Sequence, residues 1–501
     1  MNDYIVTQQD IELLMQANKT LYYKLELLNE NMQIVDLLEG NLISDSISIS
    51  SDSDVRRTYN CQLIVTDSSF DIGYDKKIWL NKRIRPYIGV EHQRSGKVIF
   101  YLIGTFVFSE SGFNYDATTH TLSLTCNDLM CLLNGSLGGN LDAYSRTVTE
   151  GTSAREVIIS LLEKVGITKY FIEFNINQKM LSTFEIPYDM VYSAGVNAYQ
   201  IIKEIVDLHP CNRAYFDING TFIIDRIPSG KNEHIVLNDD ILQPILISEQ
   251  MNTSFSEVYN HIEIWGKLNE PDFYSKDLIS SNGVYYANVI TSKLDETTGA
   301  TADVPYDSLD NFDTFSFKIP RTNSYPQYIN INNLGNVLIV REDGDPLPEG
   351  YLVSDTDYVF RYRKADNTFL FIGQYQCYAN CYVTSNVNDT SENAMIDKDN
   401  EFAIEKIGDK LKVISGGDID NIHTDSACRQ RCRYELYNAT NRKDNLSLTI
   451  LAVPFLDVDQ VFEYTTNSNK KTNKYIINNI SCNYSEFTMN ISANRYYPEY
   501  I

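Results

Sequence analysis

Alternation of apolar and polar residues with a period of two runs through much of this chain and restricts it to pleated sheet. Tyr23, Leu25 and Leu27 alternate with Tyr22, Lys24 and Glu26, which gives that segment one apolar and one wet face. Thr58-Tyr-Asn-Cys-Gln-Leu-Ile-Val65 resumes the pattern, and Val98–Phe108 is apolar on both faces, as in a buried strand or a strand at a subunit contact. Aromatic usage agrees: 35 Tyr and 22 Phe against two Trp favour half-buried pleated surfaces and broad interfaces over helical bundles. Two distant stretches also echo each other. Phe106-Val-Phe-Ser-Glu-Ser-Gly-Phe-Asn-Tyr115 leads into Thr121-Leu-Ser-Leu-Thr-Cys126, and Tyr475-Ile-Ile-Asn-Asn-Ile-Ser-Cys-Asn-Tyr484 leads into Phe487-Thr-Met-Asn-Ile-Ser-Ala493. A β unit that recurs once per chain half points to two copies of one module, and duplication of this kind suits a symmetric assembly.

With 501 residues the chain exceeds one ordinary core. Residues 8–18 suggest a short helix with Ile11, Leu14 and Met15 on one side. Strands then dominate to about residue 133, interrupted by a polar stretch from Ser44 to Asp54. Beyond Gly151, Ser153 and Glu156 form a capping-box pair ahead of the stripe Ala154, Val157, Ile158, Leu161, Leu162 and Val165, with Gly166 as the stop. Asn197 caps a second helix that buries Ala198, Ile201, Ile202, Ile205 and Leu208 before His209-Pro210 ends it. Arg213–Ile218 and Thr221–Arg226 flank Asn219-Gly220, the signature of a hairpin with a type I′ turn. Val258–Gly266 reads as a strand opening another β unit. About 135 residues of different texture follow, with short strands at 328–331, 337–340, 358–362 and 369–372, in the manner of a small sandwich. A helix capped by Thr424 and strands at 446–450 and 461–464 precede the closing pair.

The expected fold is mainly β with a smaller α+β part. Residues 1–145 form an N-terminal helix and a first β-barrel, and 146–245 an α+β domain of two helices and a hairpin. Residues 246–267 and 405–501 form a second, split β-barrel, and 268–404 an inserted β-sandwich-like domain.

Lys and Arg number 42 against 67 Asp and Glu, a formal charge of −25, which opposes any sequence-independent grip on a phosphate backbone. Nine Cys without dense spacing read as reduced thiols rather than a disulfide framework. The N-terminus lacks an export signal and no window is apolar enough to span a bilayer, so a soluble chain without a membrane anchor is expected.

No His-Glu-x-x-His, Gly-x-Ser-x-Gly, Walker loop or Gly-x-Gly-x-x-Gly occurs, and Ser-Gly-Lys at 95 and 229 read as turns. Histidines at 92, 120, 209, 234, 261 and 423 lack ligand spacing. His209-Pro-Cys211 places a thiol near an imidazole, yet sequence neighbours rarely take up nucleophile geometry. Cys377-x3-Cys381 and Cys428-x3-Cys432 depart from the usual zinc spacing, and Cys428, Cys432 and Leu436 make a core stripe. Asp45, Asp52 and Asp54 lack the Gly and terminal Glu of a calcium loop and read as solvated. Arg429, Arg431 and Arg433 suit surface ion pairs or a contact between subunits. No catalytic, cofactor-binding or metal residues are assigned, and the chain is expected not to be an enzyme.

Ser53-Asp-Val-Arg-Arg-Thr-Tyr59, Ile78-Trp-Leu-Asn-Lys-Arg-Ile84 and Phe100-Tyr-Leu-Ile-Gly-Thr-Phe106 resemble the opening of phage tail hub proteins of Gram-positive-infecting phages, the baseplate-hub-like family. Ala214–Phe222 resembles the hairpin of that family's second domain, and Tyr259–Ile264 the start of its third. Cys432–Leu436, Val453-Pro-Phe-Leu-Asp-Val458 and Ser492-Ala-Asn-Arg-Tyr-Tyr497 resemble its end. The resemblance implies a homotrimer at the virion tail tip or baseplate, assembled in the bacterial host cytoplasm, in which each chain gives two related barrels to a quasi-sixfold ring. Implied partners are the tail tube or distal tail protein, the tape-measure protein and receptor-binding or fibre proteins, with DNA passing through the channel. Many relatives carry a C-terminal lytic or receptor-binding extension, whereas this chain ends at Ile501, just after the last barrel strand. The rival expectation is a cell-wall glycan-binding adhesin or tail-associated cell-wall hydrolase centred on residues 268–400.

Overall fold

In–out alternation builds the largest element, a fourteen-stranded sheet that takes strands from both the early and the late part of the chain. The computed structural model describes residues 4–496 except 39, 67–69, 75, 142–144, 178, 229–233, 254, 256–257, 276–277, 295–300, 326, 442–443 and 468–469. Ten strands carry the argument. Five lie in the first part of the chain: β1 Gly40–Ser50, β2 Arg57–Val65, β3 Arg83–His92, β4 Phe106–Asp116 and β5 Thr121–Asn127. Five lie later: β6 Leu246–Thr253, β7 Asp444–Leu451, β8 Val461–Thr465, β9 Thr472–Asn483 and β10 Thr488–Arg495.

The first set pairs in the order β1-β2-β5-β4-β3 and the second in the order β6-β7-β10-β9-β8, every neighbour antiparallel. The agreement extends to irregularities. The β1–β2 register breaks between Leu42 and Ser44, and the β6–β7 register between Leu246 and Ser248. β4 is bulged between Phe108 and Phe113, and β9 between Ile477 and Asn479. The turns at 117–120 and 484–487 each end on a left-handed residue, His120 at φ 52° and Phe487 at φ 54°. A bulge inserts residues at a defined point of the ladder, so coincident bulges fix residue-by-residue equivalence. One apolar core runs under both sets, from Leu25, Tyr59 and Leu124 to Leu446, Tyr475 and Ile491.

The two sets also join. Ile47, Ser48, Ile49 and Ser50 of β1 pair with Cys482, Ser481, Ile480 and Asn479 of β9. The first set is further extended by strands Leu21–Leu28, Ile34–Leu38 and Lys97–Leu102 around β3.

Several expectations change. The polar stretch from Ser44 is not a loop, because Asp45, Ile47 and Ile49 point inward from β1 while Ser44, Ser46 and Ser48 face solvent. Asp45 is therefore buried rather than solvated. The segment 98–108 is two strands, separated at Ile103-Gly104-Thr105. The N-terminal helix, Gln8–Met15, buries Asp10, Leu13 and Leu14 and leaves Met15 exposed.

Helices Ala154–Lys164 and Ala198–Asp207 form as their stripes and caps predict, Ser153 accepting from the Glu156 N–H and Asn197 from the Gln200 N–H. Their core also takes in the hairpin Asn212–Phe216 and Phe222–Arg226. The hairpin turn is not type I′. It spans residues 217–221, only Gly220 has positive φ (76°), and Asp217 Oδ1 accepts from the Asn219 and Thr221 N–H groups. That Asx-type bonding supplies the reversal which two left-handed residues would otherwise provide. Val236, Leu237, Leu242 and Ile245 pack into the large sheet's core, so the chain leaves the α+β core before residue 245.

The strand over 258–266, expected to open the second barrel, lies elsewhere. His261–Leu268 pairs with Gln376–Thr384 and Leu411–Ser415 in a separate four-stranded sheet backed by helix Asp425–Asn441. An eight-stranded sheet between Phe273 and Gly373 holds the predicted short strands. Everything from 254 to 443 thus lies between β6 and β7, where the first set has only residues 51–56.

Candidate functional site: a buried three-way joint and the seam between two β sets

Residues from three distant sequence segments meet in one charged cluster. Arg57 opens β2 with Arg56 just before it, and Arg213 and Tyr215 lie on the hairpin. Asp457 and Asp459 sit between β7 and β8, where Asp459 takes a left-handed φ of 67°. Arg57, almost wholly buried, pairs with Asp457 and donates Nη1 to the Phe216 carbonyl at 2.7 Å. Its own N–H donates to Asp128 Oδ2 at 3.0 Å. Arg56 reaches Asp459 at 3.0 Å, and Arg213 bridges Asp459 and Asp225, the latter at 2.7 Å from Nε. Tyr215 donates to Asp225 at 3.1 Å, with the Arg56 guanidinium 3.8 Å from its ring centre.

Burial alone pulls the Arg213 guanidinium down, but the Asp459 and Asp225 carboxylates raise it overall. Burial pushes the Tyr215 hydroxyl up. Guanidinia facing carboxylates bind protein parts together. The cluster joins both β sets to the α+β unit.

The seam between the sets carries a buried acid. Asp45 accepts the Ser485 N–H at 2.8 Å through Oδ1, while Oδ2 has no hydrogen-bond partner among the described residues. Burial, against that hydrogen bond, pushes its carboxyl up to about 6. At the equivalent place in β6, Glu249 accepts from the Tyr464 hydroxyl at 2.7 Å and from Asn467.

The structure brings together two histidines that look scattered in sequence. His209 and His423 have ring centres 6.3 Å apart beside a cavity of about 380 Å³, also lined by Glu342, Arg361, Phe184 and Phe312. Burial drives His209 down to about 3 and Glu342 up to about 7. Cys211 is turned away, its thiol 3.8 Å from the Gln430 carbonyl. Gly151 belongs here for steric reasons: its φ is 76°, and a Cβ would lie 2.2 Å from the Phe312 ring.

Of the other candidates, Cys377, Cys381, Cys428 and Cys432 lie in the apolar core between the four-stranded sheet and its helix. Among the described residues no group of three or more His, Cys, Asp or Glu is placed to hold a metal ion. Arg429 pairs with Glu392 at 3.0 Å and Arg431 with Glu435 at 2.6 Å, while Arg433 lines a polar pocket with Arg341 and Asn177. His92 contacts Glu12 and Ser95, and His261 contacts Asp409. Ser95-Gly96 is a turn, and Ser229-Gly-Lys231 lies outside the described residues.

Sequence reasoning missed the paired first strands. Leu42-Ile-Ser-Asp45 and Leu246-Ile-Ser-Glu249 are the same motif at the same bulge, with Ile43 and Ile247 both exposed. A search for short repeats spanning an insertion would have found it.

The fold and its joints define a mainly β protein with an internally duplicated five-stranded unit. A family model described as a domain of unknown function (DUF5048) matches residues 399–500. No curated protein sequence matches the chain. Among solved structures, the chain is similar to the 43 kDa tail protein of prophage MuSo2 from Shewanella oneidensis, with 10% identity over 95% of this chain and 98% of that one and a TM-score of 0.42. It is also similar to prophage tail protein gp18 from Listeria monocytogenes, with 8% identity over 94% of each chain and a TM-score of 0.43. A tail protein from Neisseria meningitidis shows 8% identity over 94% of this chain and 96% of its own, with a TM-score of 0.42.

Proposed function

We propose that this chain is a structural, non-enzymatic hub at the distal end of a phage tail, a homotrimer of the tail tip or baseplate assembled in the bacterial host cytoplasm. The observation that carries this reading is the duplication: one chain presents two like five-stranded units in one sheet, with coincident bulges. Three such chains offer six like units, which matches a hexameric tube ring to a threefold tip. The ordered resemblance of Ser53–Tyr59, Ala214–Phe222 and Val453–Val458 to tail hubs supports it further, since these segments converge on the Arg57–Asp457 joint.

In this reading the tail tube or distal tail protein stacks on the ring, the tape-measure terminus occupies the lumen, and fibre or receptor-binding proteins attach outside. Residues 254–443 form the outward-facing insert. Part of the −25 charge lines the channel, so that passing DNA does not adhere. Native mass spectrometry together with a symmetry-resolved image of the tip tests the reading. A threefold particle with an acidic lumen is expected; a chain that stays monomeric and does not associate with tails rules it out.

Exposed tyrosines on the insert favour one second reading, a glycan-binding adhesin. Tyr286 and Tyr328 occupy neighbouring parallel strands and both face solvent, an arrangement suited to stacking on sugars. Cell-wall zymography and glycan binding by the whole protein separate the two readings.

A further inference from the structure

A polar pocket of about 220 Å³ opens where the α+β unit meets the insert, and every charged residue in its lining is an arginine. Arg341 follows strand Val337–Val340 of the eight-stranded sheet, and Arg429 and Arg433 lie on helix Asp425–Asn441. Four residues apart, Arg429 and Arg433 share one helical face. Arg431 leaves on another face and pairs with Glu435 at 2.6 Å. The densest basic run of the sequence is thus divided between this pocket and an ordinary ion pair.

Converging guanidinium groups repel one another unless carboxylates stand between them. Two of the three have such partners: Arg341 lies 3.1 Å from Asp343 and 3.4 Å from Asp345, and Arg429 lies 3.0 Å from Glu392. Lys179 adds a further cation, 2.5 Å from Asp345. Arg433 faces the Cys381 thiol and has no carboxylate partner among the described residues. Four cations against three carboxylates leave this cluster with one positive charge in excess.

The uncharged lining suits the same ligand. Asn177 follows strand Phe174–Ile176 at a left-handed φ of 48°, a conformation that asparagine tolerates. Its Oδ1 accepts from the Ser426 hydroxyl and from Gln430 Nε2, the latter at 3.0 Å, which leaves its Nδ2 donor without a partner among the described residues. Arg341 Nε and Arg433 Nε are buried donors in the same condition, and Gln430 Oε1 is a buried acceptor. Buried polar groups are as a rule hydrogen-bonded. A hydrogen phosphate group offers oxygens to these donors and one O–H to Gln430, and a planar guanidinium fork takes two oxygens of such a group at once.

We infer that this pocket binds a phosphate group, free or carried as the monoester of a small polar molecule, with Arg433 as its principal charge partner. A carboxylate has only two oxygens for the three forks. The ligating side chains come from the α+β unit, the eight-stranded sheet and the helix, so occupancy pins the insert to the α+β unit. The site does not depend on the tail-hub reading.

Isothermal titration calorimetry of the whole protein tests it, with inorganic phosphate, O-phosphoserine and acetate as separate arms at one ionic strength. Inorganic phosphate or phosphoserine is expected to bind saturably, once per chain and at least tenfold more tightly than acetate, and to raise the thermal midpoint. Tighter binding of phosphoserine identifies a carried phosphate group as the ligand, and equal or weaker binding identifies the free ion. Arg433→Gln is expected to weaken binding at least tenfold and to abolish the thermal shift. Asn177→Asp, which sets a carboxylate in the wall at a position that also tolerates aspartate, should do the same. Arg431→Gln removes an equal charge outside the pocket and should leave the affinity unchanged. Circular dichroism checks that each variant is folded, and an unfolded Arg433→Gln leaves Asn177→Asp to decide. A wild-type chain that binds neither phosphate probe, acetate binding as tight as phosphate, or equal losses in Arg431→Gln and Arg433→Gln overturns the inference.

Discussion

Arg57 and Asp457 form an ion pair across 400 residues of sequence, and through the Phe216 carbonyl the same guanidinium also holds the hairpin of the α+β unit. One nearly inaccessible side chain therefore ties together the first β set, the second and the domain between them. Its partners are backbone and carboxylate oxygens fixed by three different elements, so the joint exists only when all three are in place.

Removing one side of a buried pair leaves the other charge uncompensated. Arg57→Ala is expected to destabilise the chain by about 3–5 kcal/mol, read as a lower urea midpoint. Arg57→Ala combined with Asp457→Ala should cost less than the sum of the two single changes. Full additivity in that cycle would show that the two residues do not interact.

Asp45→Asn keeps an acceptor for the Ser485 N–H and removes a buried carboxylate. The folded value, about 6, lies above the ordinary 3.8. The native state therefore binds the extra proton between those values, and ionising the group costs stability as pH rises through that window. The variant is expected to gain on the order of 2–3 kcal/mol at pH 7, since each tenfold change in proton affinity is worth about 1.4 kcal/mol, and to gain little at pH 4. Chemical denaturation at the two pH values measures this; an equal gain at both would contradict it.

His209 acts in the opposite direction. Held near 3 by burial against an ordinary 6.5, it stays neutral in the fold while the unfolded chain takes up a proton. Its contribution is complete above about pH 6.5 and is lost as pH falls toward 3. His209→Phe, which keeps a ring against Phe184, should flatten the decline in unfolding midpoint between pH 7 and pH 5. An unchanged slope would mean the imidazole titrates normally.

Gly151→Ala puts a methyl group against the Phe312 ring at a left-handed position. A loss of about 2–3 kcal/mol is expected from the backbone and the overlap together. Phe312→Ala in the same chain should recover the steric part. If it recovers nothing, the cost lies in the backbone alone.

All nine thiols are buried, and burial pushes Cys61 and Cys211 up to about 12. Titration of the native protein with an aromatic disulfide reagent at pH 8 should find less than one reactive thiol per chain, and nine after denaturation. Rapid native labelling would show that a core opens.

Local periodicity and capping by themselves determined much of this protein. The Ser153 and Asn197 caps, the inward stripes of both helices and the closing strand pairs β4–β5 and β9–β10 are legible because each depends on neighbours a few residues apart. The echo between those pairs was readable for the same reason. The partner of a strand was not, because pairing depends on which edge comes within about 4.8 Å, whatever the separation in sequence. His261–Leu268 has the same alternation as a barrel strand, yet joins a different sheet because helix Asp425–Asn441 covers its apolar face. Ser44–Ser50 looked like a loop because serine is a weak strand former, and became a central strand because β2 and β9 flank it. The three-way joint was invisible for the most elementary reason: Arg57, Phe216 and Asp457 have no local relationship, and only the closing of two β sets around the α+β hairpin brings them within hydrogen-bond reach.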